Sequence, residues 1–226
     1  MPFKPSGLAF GSAIHSTLSW FHKERKNGNK VTLDDFLRLF DTDWYSQRAD
    51  AEIRYKSGED EAKLTVIAKE ILALYYHQEH NGVADSEIPF VVPLVNPSNG
   101  DSLGLNLEGF IDLIEKDDTI VEFKTSNQTY NQKNVDDNLQ LTAYSYAYEM
   151  LYQKPPKRLE VVNFVKTKKP KMIILKTKRD ISDYKRFFSL ACQVLRGIHS
   201  QIFYPRPSFW CKDCEYGKHC KAWDVN

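Results

Sequence analysis

Asp112, Glu122 and Lys124 are the side chains best placed for chemistry in this chain of 226 residues. They lie in Gly109–Thr125, GFIDLIEKDDTIVEFKT, which reads as two short strands around a turn. Strand side chains alternate between faces, so Glu122 and Lys124 share one face while Val121 and Phe123 take the other. A three-residue loop at 116–118 sets Asp112 opposite Glu122, so that two carboxylates and an amine converge. Carboxylates that close repel unless a cation intervenes. Hard divalent ions such as Mg²⁺ take oxygen ligands. A lysine beside the ion can hold an attacking water or balance charge growing on a phosphate. The same spacing also describes an exposed hairpin whose charges are solvated and paired across strands.

Other residues carry weaker signals, each with a plain structural alternative. Gln140 and Tyr144 stand four apart on a helix and point the same way, or they are the edge and core of an amphipathic helix with Leu139, Ala143, Tyr146 and Met150. His15, in GSAIH, is a boundary histidine or a neutral imidazole ligand. Glu87, at the start of the preceding strand, reads as a solvated strand-edge acid. Cys211, Cys214 and Cys220 have C-x2-C-x5-C spacing, which suits a metal clamp, with His219 as a further zinc ligand. Cys192, among Phe188, Leu190 and Leu195, reads as a buried inert thiol. The stretch 166–179 carries seven basic residues and no acid. It is a solvated strand pair or, with Lys166, Lys168, Lys169 and Lys171, a track for phosphates. Phe203, Tyr204, Phe209 and Trp210 can stack on unpaired bases or pack around the cysteines.

The elements that must position these residues follow from periodicity. Ile14, Leu18 and Phe21 make the stripe of a helix over 8–25, with His15 beside it. Thr32 and Asp35 form a helix-start box before Phe36, Leu37, Leu39 and Phe40. Leu64, Ile67, Ala68, Ile71, Leu74 and Tyr75 predict a helix over about 61–80, ended by Asn81-Gly82. The period then changes: 87–95 is extended, 96–101 is a turn, and strands follow at 103–115 and 119–124. A polar loop at 126–134 precedes a helix over about 135–152, which Pro155-Pro156 break. Strands at 159–165 and 172–177 and a final helix over 181–203 complete the order. This order predicts an α/β or α+β fold with a mixed central sheet and helices on its faces. It forms a single domain over 1–226: a helical part at 1–82, a core at 83–203 and a cysteine-rich tail at 204–226.

Composition narrows the classes. A hydrophobic share of 42% and a charged share of 27% belong to an ordinary globular protein. Net charge is +1, so any nucleic-acid partner is held by a local patch. No segment approaches a membrane span of about 20 apolar residues, and the start lacks the apolar core of a signal peptide. Three cysteines within ten residues favour a metal or cluster site over a disulfide framework, which places the chain in the cytoplasm. There is no G-x-x-x-x-G-K-[ST] loop and hence no motor in this sequence.

Taken together, GSAIH on an early helix, G-x-x-D in a strand, E-x-K ten residues after the Asp, and Q-x-x-x-Y on the next helix resemble the PD-(D/E)xK nucleases. The likeness is to their RecB-like branch, with the nuclease domains of RecB and AddB and the CRISPR-associated exonucleases, and it runs from Gly11 to about Cys220. It implies a restriction-endonuclease-like core and a DNA exonuclease acting on ends or single strands. His15, Asp112, Glu122 and the Phe123 carbonyl would bind Mg²⁺ or Mn²⁺, with Glu87 an outer candidate; Lys124 would position water, and Gln140 and Tyr144 would brace the site and touch DNA. It further implies that Cys211, Cys214 and Cys220 join a fourth cysteine, from before the histidine helix, around a [4Fe–4S] cluster. This chain departs from that pattern. No cysteine precedes Gly11, as though a first segment were missing. Loss of the cluster, completion by Cys192 or an outside ligand, and a Zn²⁺ site with His219 all stay open. So do a non-catalytic DNA-binding or partner-docking module and a subunit working beside a helicase, in repair, recombination or CRISPR-type processing.

Overall fold

Apolar residues three and four apart give way near residue 83 to alternation, and the fold changes there from a helical layer to a sheet. The computed structural model describes residues 3–208, 211, 214 and 216–222. Three helices come first: α1 (Ser6–Lys26), α2 (Leu33–Asp50) and α3 (Glu61–Tyr76). The Thr32 hydroxyl accepts the Asp35 N–H at the start of α2, and Asp60 accepts the Lys63 N–H at the start of α3. Each cap satisfies a donor the helix leaves free, about 1 kcal/mol. Ala9, Phe10, Ala13, Ile14, Leu18 and Phe21 of α1 pack against Phe36 and Phe40 of α2 and Leu64, Ile71 and Leu72 of α3. Two short parallel strands, β1 (Lys4–Pro5) and β2 (Ile53–Arg54), tie the start of α1 to the α2–α3 connection.

The five-stranded sheet has the order β3-β4-β5-β6-β7. Its strands are β3 (Val83–Val95), β4 (Ser102–Glu115), β5 (Thr119–Ser126), β6 (Arg158–Val165) and β7 (Lys171–Thr177). Neighbours are antiparallel except β5 and β6, which are parallel and so need a crossover. That crossover holds α4 (Gln132–Asp136) and α5 (Leu139–Tyr152); α6 (Ile181–His199) follows β7, and α7 (Gly217–Lys221) lies in the tail. On one face Val121, Phe123, Val162 and Phe164 are buried with α1, α2 and α3. On the other, Ile120, Leu159 and Val161 are buried with α5 and with Tyr184 and Phe188 of α6. This is the expected mixed α/β architecture.

Several boundaries differ from expectation, for local reasons. The helix expected over 135–152 is two helices, because the Asn138 side chain accepts the N–H groups of Gln140 and Leu141 and starts α5 afresh. Its first part, α4, reaches back to Gln132 inside the expected polar loop. The final helix stops at His199 rather than 203, and Gln201 follows with a φ of 53°. The helix α3 ends at Tyr76, not near residue 80, and β3 begins at Val83 rather than 87.

One feature of the sheet positions the site. β4 pairs with β3 along most of its length, but with β5 only at Leu113↔Val121 and Ile114↔Ile120. The turn between them spans 116–118, with Asp118 at a φ of 64° and its N–H on the Glu115 carbonyl. Beyond this short stem the β3–β4 hairpin leaves β5, and the sheet forks.

Candidate active site

Asp112 stands where the fork opens. Its Oδ2 accepts the Phe123 N–H at 2.8 Å, so a side chain replaces the strand ladder where β4 departs. Helix α1 lies against β5 at Gly11, where an added Cβ would come within 3.3 Å of the Thr125 hydroxyl oxygen. One turn later His15 reaches the fork, with Nδ1 3.6 Å from Asp112 Oδ2 and its ring edge-on to Phe123. Burial disfavours the charged imidazole, but the neighbouring Asp112 carboxylate, with Glu122 behind it, outweighs burial, and the His15 pKa is raised.

Glu122 is buried, at 1% exposure, and pairs through Oε1 with Lys124 Nζ. Lys124 also donates to Gln140 Oε1 at 2.7 Å, and Gln140 Nε2 donates to the Tyr144 hydroxyl at 2.7 Å. The Q-x-x-x-Y pair of α5 thus fixes the lysine of β5. Burial, then the neighbouring Asp112, pushes the Glu122 carboxyl up to about 7 despite Lys124. Burial, then Glu122 and Asp112, raises the Tyr144 hydroxyl. Glu122 Oε2 is buried without a hydrogen-bond partner among the described residues. Such an orphan acceptor is costly, and a cation in the fork removes the cost.

For Glu87 the structure favours the outer site candidate over the edge acid: one ligand atom each from His15, Glu87 and Asp112 lie within 4.8 Å of one another. Burial, then Asp112, raises the Glu87 carboxyl pKa. Its backbone has a φ of 52° inside β3, between the pairs Ser86↔Leu113 and Ile88↔Ile111. A non-glycine residue held there stores of order 1 kcal/mol or more of strain, a pattern that clusters at functional sites. The signal in the sequence was an acid at the head of an apolar strand, and the left-handed backbone that re-aims it leaves no mark in composition.

The structure therefore brings His15, Glu87 and Asp112 together, with Glu122, Lys124, Gln140 and Tyr144 linked beside them. Phe123 contributes its N–H to Asp112 and keeps its ring in the core. An imidazole nitrogen with several carboxylate oxygens is a donor set that suits Mg²⁺ or Mn²⁺.

The lysine run divides. Lys168, Lys169 and Lys171 are exposed, but the Lys166 side chain is turned inward at 5% exposure, over the Phe10 ring and 3.8 Å from Glu59 Oε1. Its aliphatic stem and the Glu59 charge favour the interior, which a charge run alone does not reveal. Phe203 and Tyr204 are exposed, whereas Phe209 and Trp210 lie outside the described residues. Cys211, Cys214 and Cys220 are free, exposed thiols, and His219 is exposed on α7. Cys192 is half-buried beside the α5–α6 cluster.

A model of the PD-(D/E)XK nuclease superfamily matches residues 2–221. The chain belongs to this superfamily. Glu122-Phe123-Lys124 has the form (D/E)-x-K. Among solved structures, a protein described as a candidate exonuclease, from Eubacterium rectale, is 12% identical with a TM-score of 0.53, over 100% of this chain and 89% of that one. The shared fold is restriction-endonuclease-like, a mixed sheet flanked by helices. The protein SSO0001 is 13% identical over 98% of this chain and 87% of its own, at a TM-score of 0.43 that carries no argument. No curated protein is significantly similar to the chain. No helix among the described residues is long and apolar enough to cross a membrane.

Proposed function

We propose that this PD-(D/E)XK protein is a Mg²⁺- or Mn²⁺-dependent deoxyribonuclease of the RecB-like branch, acting as an exonuclease on DNA ends or single strands. The observation that carries the reading is the meeting, within 4.8 Å, of His15, Glu87 and Asp112 beside the buried Glu122–Lys124 pair, in a chain of a nuclease superfamily. His15, Glu87 and Asp112 would hold the cation, and Glu122 faces the same fork with its unpaired Oε2. A divalent ion bound there supplies charge for the phosphate and acidifies a water. Lys124, anchored by Glu122 and Gln140, would orient an attacking water or meet charge growing on a phosphate oxygen. Tyr144 keeps Gln140 in place.

The exonuclease reading is supported by the description of the Eubacterium rectale protein. Lys168, Lys169 and Lys171 extend the surface that would receive the DNA backbone. The C-x2-C-x5-C spacing and the exposure of all three thiols support Cys211, Cys214 and Cys220 as ligands of a [4Fe–4S] cluster or Zn²⁺, in a reducing cytoplasm. A helicase or a recombination or CRISPR protein would be its working partner.

The test is digestion of end-labelled single- and double-stranded DNA with Mg²⁺ or Mn²⁺, under anaerobic conditions. Cleavage by the wild type that is lost in Glu122→Ala and Lys124→Ala is the expected result, and the labelled products give the polarity. A folded, metal-loaded wild type that binds DNA without cutting it overturns the reading in favour of a binding module.

A further inference from the structure

Beyond the fork, the β3–β4 hairpin has one covered face and one bare face. Ile88, Phe90, Val92, Leu107 and Ile111 pack into the cluster on the α5 side. On the opposite face Pro89 pairs across from Phe110, and Val91 follows two residues on. All three are exposed, Phe110 at 58% and Val91 at 59%. A lone exposed apolar side chain is ordinary. Here three adjoin one another and also adjoin the candidate cation site: Phe110 is two residues from Asp112, and Pro89 is two from Glu87. Two strand residues span about 6.7 Å, so the ring stands within one nucleotide of the fork.

The surroundings suit a nucleotide. Lys26 of α1 pairs with Asp85 at 2.9 Å, and exposed Lys23 lies one turn before it on the same helix, so basic groups border the start of the hairpin. The platform is also preformed. Gly109, opposite Phe90, has no room for a side chain because a Cβ would meet the Phe90 ring at 2.7 Å, and this close packing holds the strand that carries Phe110. A base inside a duplex has both faces stacked, whereas an unpaired base offers a free face to an aromatic ring.

We propose that Phe110, flanked by Pro89 and Val91, stacks on an unpaired base of the strand whose phosphate lies at the fork, and so selects single-stranded over paired DNA. This rests on the nuclease reading above. The test compares cleavage of a single-stranded oligonucleotide with one carrying abasic nucleotides around the cut. In the wild type the abasic strand has a KM about tenfold higher, the usual scale of base–aromatic stacking, with kcat little changed. Phe110→Trp keeps that ratio and Phe110→Ala brings it close to one. An unchanged ratio in Phe110→Ala overturns the proposal.

A second measurement needs no turnover. In a Glu122→Gln background with Mg²⁺, binding of a single strand containing 2-aminopurine quenches its fluorescence if the base stacks. Quenching that disappears with Phe110→Ala supports the platform, even if the wild type cuts nothing and the nuclease reading falls. Equal quenching with and without Phe110, or none in either, removes the platform and leaves the nuclease reading intact.

Discussion

Helix α1 carries two histidines on nearly the same side, His15 and His22, seven residues apart, and they have opposite fates. His15 lies beside Asp112 at the fork, partly exposed, and its proton affinity is raised. His22 is fully buried, its Nε2 meets the Tyr75 hydroxyl at 2.7 Å, and burial, then His80 and Arg25, lowers its pKa to about 3. One imidazole faces carboxylates and can take a cation. The other stacks on Phe123, among Phe21, Tyr75 and His80, and serves as core. Residue type and helical spacing are the same in both places, so the neighbours alone decide between ligand and packing.

The sharpest way to break this contrast is to remove charge at the fork. Asp112→Asn is expected to lower kcat by on the order of 10²–10³, with a thermal midpoint within a few degrees of the wild type. His15→Ala should follow the same pattern and also weaken cation binding, read by titration calorimetry with Mn²⁺. A large fall in thermal midpoint in either variant would make the fork structural.

The converse experiment is His22→Ala. It removes the Tyr75 partner and leaves a cavity, so a loss of about 2–4 kcal/mol in urea unfolding is expected. Cleavage per folded molecule should be kept. Loss of activity without loss of stability would erase the distinction between the two histidines.

Acid should expose the same difference. His22 at about 3 and His80 at about 4 both lie below the ordinary value of 6.5. Below 6.5 the unfolded chain binds protons that the folded chain refuses, so stability present at pH 7 declines as pH falls toward those values. Between pH 7 and 5 the two histidines together should cost about 2–4 kcal/mol. Glu122 and His15, raised at the fork, take up protons in the folded chain over the same range and act in the opposite direction, so the check is the difference in denaturant midpoint between the wild type and a His22→Phe/His80→Phe double variant at the two pH values.

Smaller effects belong to the supports. Gln140→Ala frees Lys124 and should cost about tenfold in kcat, and Tyr144→Phe should cost less. Replacing Lys168, Lys169 and Lys171 by alanine should reduce the salt dependence of DNA binding, with little change in kcat.

Much of the fold and part of the site were legible because short-range rules govern them. Period two and a three-residue loop were enough to bring Asp112 beside β5, where it accepts the Phe123 N–H, and to put Lys124 on the Glu122 face. A spacing of four put Gln140 above Tyr144. Glu87 was only weakly legible, since a single left-handed residue redirects it and leaves no compositional mark. The break at Asn138 was hidden because helical periodicity continues through a capping side chain. The inward turn of Lys166 depends on Phe10 and Glu59, remote residues that no local pattern can supply.

The fork also orders events during synthesis. Helix α1 leaves the ribosome well before β4 and β5, and α5, which steadies Lys124, comes later still. His15 therefore waits for partners from a distant stretch of chain, and the parallel β5–β6 pairing closes only after the crossover is complete. Such non-local closure is slow. A growing chain thus carries no assembled centre until the crossover has been made.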